Sequence, residues 1–128
     1  MKKRIKYFQD EVLRWMDLFG LGRWSVKWVG WDTIPADFRD ADAAARSDVP
    51  ARLVEFTINP DKLKDKSDAW ISRCALHEVA HVLTARMEDF AYKSNVDHDA
   101  IDEEREALAK SIERAFFGPV DSNDAEVV

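Results

Sequence analysis

Hydrophobic positions recur along this chain with two different periods. Ile5, Phe8, Val12, Trp15 or Met16, and Phe19 follow helical spacing with charges between them. They predict an amphipathic helix from about Lys3 to Phe19, stopped by Gly20 and Gly22. Trp24 to Val29 alternates large apolar with polar residues and predicts a strand. Residues 30–49 are polar, rich in alanine and aspartate, and contain Pro35. They predict a loop with room for a short strand near Ala43 to Arg46. Arg52 to Ile58 predicts a clearer strand, with Val54, Phe56 and Ile58 on one face. Asn59-Pro60-Asp61 ends it.

Two further helices follow. Ser67 is a good N-cap, with Asp68 in the first turn, for a helix reaching about Met87. From Cys74 to Ala85 nearly every residue is apolar except His77, Glu78, His81 and Thr84. A helix apolar almost all round is central and buried. An unpaired polar group inside it costs about 1–3 kcal/mol, so its ionisable residues need partners. Residues 88–98 read as a loop. Asp99 to Phe117 predicts the next helix, capped by Asp99, with Ile101, Leu108, Ile112 and Ala115 or Phe116 as its apolar stripe. Gly118-Pro119 stops it, and residues 120–128 read as a short acidic, disordered tail. The pattern predicts an α+β fold with three main helices and a small, partly antiparallel sheet, in one domain over residues 1–119.

Composition narrows the function classes. A length of 128 residues, 46% hydrophobic and 34% charged, suits one globular domain. The single cysteine, Cys74, excludes an intramolecular disulfide and a four-cysteine zinc ribbon. Nineteen basic against 25 acidic residues give a net charge of −6, which argues against nucleic acid as a partner. The basic start, Met1 to Arg4, is followed by Lys6, Asp10, Glu11 and Arg14 rather than by an apolar signal core. No run approaches the ~18 apolar residues of a membrane span. The expectation is a cytoplasmic protein without a membrane partner, and a monomer. Of five tryptophans, Trp15, Trp24, Trp28 and Trp70 fall at core positions, and Trp31 alone suits the surface.

His77-Glu78-Val79-Ala80-His81 is an H-E-x-x-H pattern. Positions four apart share one helix face, so the two imidazoles can bind one tetrahedral zinc ion. Zinc lowers the pKa of its bound water toward 7, and Glu78 would then act as general base and general acid. A catalytic zinc needs a third protein ligand. Thr84 and Met87 stand where the metzincin pattern requires glycine and histidine. Cys74, three residues before His77, is a weaker donor and better explained as core. On the last helix Glu104 falls on the face of Ile101, Leu108 and Ile112, which favours it as ligand. Glu103 follows, with Asp102 or Glu106 behind. Arg73, one turn before His77, is placed to pair with a carboxylate beside the metal.

His77, Glu78, His81 and a downstream E-x-x-A at Glu104 to Ala107 resemble the gluzincin metallopeptidases. The lead helix, the Leu21-Gly22-Arg23-Trp24 turn, the Arg52–Ile58 strand and the motif helix resemble the compact minigluzincin or SprT-like arrangement, often encoded by phages and mobile elements. The resemblance implies a zincin-like fold with one zinc per chain on His77, His81 and Glu104. It implies hydrolysis of a peptide or protein substrate laid along Arg52–Ile58, with Glu78 as base and acid. His98 and Tyr92 are then candidates for the transition-state oxyanion, and the tail from Asp121 is long enough to block the cleft. The missing C-terminal cysteines argue against the DNA-directed branch of that family. The alternative is a catalytically silent, zinc-stabilised interaction module on the same fold.

Overall fold

A computed structural model of the chain describes residues 1–94 and 97–119. Helix α1 (Lys2–Leu18) buries Phe8, Val12, Trp15 and Met16, one helical face, as their spacing requires. Strand β1 (Ser25–Trp28), two single turns of 3-10 helix, strands β2 (Ala43–Asp48) and β3 (Leu53–Ile58), and the one-turn helix α2 (Pro60–Leu63) follow. Helices α3 (Asp68–Tyr92) and α4 (His98–Phe117) complete the order. The fold is α+β, as the pattern predicts, with a one-turn helix added where Asn59 caps the end of β3.

The sheet has the order β1-β3-β2. β1 lies parallel to β3, with Ser25 opposite Leu53 and Trp28 opposite Phe56. β2 lies antiparallel to it, from Ala43 opposite Ile58 to Asp48 opposite Leu53. β2 is longer than the segment expected from sequence, because its alanines give no strong alternation of large and polar side chains. Those small residues let α3 pack directly against the strand. Val54, Phe56 and Ile58 turn inward as predicted and meet Phe8, Val12, Trp70, Ile71, Leu76 and Val79 in one core.

α3 crosses this core, and every residue from Trp70 to Ala80 is buried. Ser67 caps it as expected, accepting from the Trp70 amide at 3.0 Å. The Trp15 indole donates to the Ser72 carbonyl at 3.1 Å and pins α1 to α3. Trp70 is buried too, while Trp24, Trp28 and Trp31 are half-buried. α3 does not stop near Met87. It runs on through Tyr92, supported by Thr84–Glu88 and Lys93–Asp89 pairs at 2.8 and 2.9 Å.

α4 differs from expectation in two respects. Its cap is Asp97, which accepts from the Asp99 amide at 2.9 Å, rather than Asp99. Its inward face carries Ile101, Ala109 and Glu113, while Leu108 and Phe116 are exposed. Of the expected stripe, Ile101 is buried and Ile112 packs against the core, while Leu108 and Phe116 lie outward and Glu113 takes an inward place. The acidic tail beyond residue 119 lies outside the described residues, and so does its suggested role in blocking the cleft. Among the described residues no helix is long and apolar enough to cross a membrane.

Candidate metal centre

The central helix sets the chemistry. Its burial encloses His77 completely and Glu78 almost completely, while His81, one turn later, reaches the edge of a cleft. The two imidazoles meet edge to face with centroids 4.9 Å apart. Opposite them α4 presents Glu106. Its Oε1 is 3.2 Å from His81 Nε2 and its Oε2 is 3.4 Å from His77 Nε2. One donor atom from each of His77, His81 and Glu106 lies within 4.8 Å of the other two, a group that could hold a metal ion.

Glu104 is not the residue that joins the histidines. It is exposed, as are Asp102 and Glu103. Leu108 lies outward, and Glu104, on the same side of α4, turns outward with it. Glu106, Ala109 and Glu113, at i, i+3 and i+7, in fact form the face toward α3. An E-x-x-A spacing recurs there, from Glu106 to Ala109. Cys74 is fully buried core and takes no part in the group.

Behind the histidines lies a second carboxylate that the sequence did not single out. Glu113 Oε2 is 2.6 Å from His77 Nδ1, and its Oε1 accepts from Arg73 Nε at 2.6 Å. Arg73 Nη1 also donates to the Gly118 carbonyl at 3.0 Å. Arg73 does pair with a carboxylate beside the site, as its position one turn before His77 suggests. The signal for Glu113 was its register: it lies seven residues from Glu106, on the same face.

The charges are mutually dependent. Burial opposes ionisation of His77, yet pairing with Glu106 and Glu113 outweighs it and raises its pKa to about 10. Pairing with His77 and His81 holds Glu106 well below the usual carboxylate range. Burial pushes the Glu78 carboxyl up, opposed by His77 and His81. His77 Nε2 and His81 Nδ1 are buried and make no hydrogen bond of good geometry among the described residues. Two imidazoles and a carboxylate, with two ring nitrogens lacking a hydrogen-bond partner, form a donor set that could hold a metal ion.

The group opens onto a cleft with two lobes, of about 590 and 700 Å³. Ile34, Pro35 and Phe38 line the first, which also holds Glu78 and Glu106. Asp48, Glu88, Asp89 and Tyr92 line the second. Ala45, Arg46, His81 and Arg105 border both and form the waist. The strand along the cleft is thus β2. β3, expected from the family resemblance to take the substrate, is paired on both sides and has no free edge. Tyr92 lines the second lobe, but its hydroxyl donates to Asp102 and its ring meets His98 at 4.9 Å. His98 is exposed and borders neither lobe.

No protein-family model, curated protein or solved structure matches this chain.

Proposed function

We propose that this protein is a zinc-dependent peptidase of compact, zincin-like architecture. One observation carries the reading: Glu106 faces both imidazoles of the H-E-x-x-H helix, with the buried Glu78 beside them and an open cleft in front. His77, His81 and Glu106 would hold the ion. When bound, it supplies an acidified water and an electrophilic centre.

The chain's own groups do the rest. Glu78, kept in low dielectric with its pKa raised, is suited to take the proton of the attacking water and pass it to the leaving nitrogen. Glu113 accepts from His77 Nδ1 and so leaves Nε2 free to face the ion. Among the described residues β2 has no strand partner on its cleft side, so an extended peptide can pair along it. An ion shared by α3 and α4 would also staple the two helices together. This supports a second reading, a silent zinc-stabilised interaction module.

Metal analysis combined with casein cleavage by the wild-type protein and Glu78→Gln separates the two. The peptidase reading expects one zinc per chain in both proteins and cleavage by the wild type alone. Zinc without cleavage supports the silent module, and a protein that takes up no zinc sinks both.

A further inference from the structure

We propose that Arg105 is a catalytic residue of this cleft, donating hydrogen bonds to the carbonyl oxygen of the scissile bond as that oxygen becomes an anion. The inference rests on the peptidase reading and adds a residue to it. Arg105 precedes Glu106 on α4 and stands at the waist of the cleft, bordering both lobes with His81. Its Nε is buried with no hydrogen-bond partner among the described residues. That atom is covered, but the residue borders the cleft beside His81 and its charge acts on the Glu78 carboxyl, so the guanidinium is placed where an anion on the scissile carbonyl would form.

The neighbouring donors are committed elsewhere. Arg46 shares the waist but pairs with Glu55 at 3.3 Å, and its side chain is mostly exposed. Lys110 has interactions of its own. Arg73 donates to Glu113 and to the Gly118 carbonyl and borders neither lobe. The Tyr92 hydroxyl donates to Asp102, and His98 lies off both lobes. A guanidinium stays protonated throughout, so it supports the charge without moving a proton.

The step balances. The water oxygen bonds to the carbonyl carbon and its proton passes to Glu78. The π pair moves onto the carbonyl oxygen, which takes the N–H donation of Arg105. On collapse that pair reforms the carbonyl, the C–N bond breaks, and the nitrogen leaves with the proton from Glu78.

The test uses the zinc-loaded full chain, labelled casein as substrate, and an N-phosphoryl-Leu-Ala dipeptide as tetrahedral anion. Arg105→Gln should keep its zinc and melting temperature. Its kcat should fall by about 10²–10³-fold, as for other lost oxyanion donors. KM should move less than about threefold, because the contact forms only in the transition state. Calorimetry should show the phosphoryl dipeptide binding more weakly to Arg105→Gln, with Arg105→Lys intermediate in both measurements. If Arg105→Gln fails to fold, Arg105→Lys carries the same comparison. An unchanged kcat, equal binding of the phosphoryl dipeptide, or no binding to the wild type overturns the proposal. Failure of the peptidase reading is distinguishable, since Glu78→Gln would then cleave as well as the wild type or zinc would be absent.

Discussion

The Glu113 carboxylate meets His77 Nδ1 at 2.6 Å in the centre of the core, and both residues are almost completely buried. An imidazole held this way has one orientation and presents Nε2 toward Glu106, as a metal ligand there would need. Glu113→Gln keeps the shape but loses the charge, and should weaken zinc binding by about 10–100-fold in chelator competition. Glu113→Ala also strands the Arg73 guanidinium, and should destabilise the fold by about 3–5 kcal/mol in denaturant titration. Equal zinc affinity in wild type and Glu113→Gln would remove the positioning role.

The choice between the two α4 carboxylates has its own check. Glu106→Gln removes the charge and replaces one of the two oxygens that face the imidazoles, and should leave the purified protein without stoichiometric zinc. Glu104→Gln alters an exposed side chain and should bind zinc as the wild type does. The reverse result, by metal analysis of both variants, would return the ligand to Glu104.

Stability without metal should depend on pH in a defined sense. His77 has a folded pKa near 10, above its ordinary 6.5, so its contribution is complete below pH 6.5 and is lost as pH rises toward 10. Glu106 is shifted below its ordinary 4.5, so its contribution is present above that pH and is lost on acidification. The chelator-stripped protein should therefore melt highest between pH 4.5 and 6.5. Zinc needs the imidazoles deprotonated, so its stabilising increment should grow toward alkaline pH. A stripped protein whose melting temperature is flat from pH 6.5 to 10 would contradict this.

Gly118 ends α4 with φ 74° and ψ −162°, a region open essentially to glycine. A side chain there would meet no atom of the described residues within 4 Å, so among them the cost of Gly118→Ala is one of backbone conformation. It should be about 1–3 kcal/mol by thermal or chemical unfolding. Because the Gly118 carbonyl accepts from Arg73, zinc affinity should fall as well. A neutral substitution would show that this turn relaxes without strain.

Much of this protein was legible locally. The spacing of Phe8, Val12 and Trp15, the alternation of Val54, Phe56 and Ile58, and the Ser67 cap each belong to one segment, and each appears as expected. The pair His77 and His81, with Glu78 between, needs only the pitch of one helix to be recognised. The rest depended on partners distant in sequence. β2 has little strand signal of its own, and its place at the cleft comes from pairing with β3 and packing on α3.

By itself the sequence determined an α+β chain and a polar H-E-x-x-H patch inside an otherwise apolar helix. The tertiary structure alone decided what completes that patch. The rotation of α4 cannot be read from its apolar stripe, because its inward face carries Glu106 and Glu113, whose charges are offset by His77, His81 and Arg73 across the interface. Glu113 is an interior residue because another segment brings its counter-charge, Arg73 and His77, and that pairing exists only in the folded chain.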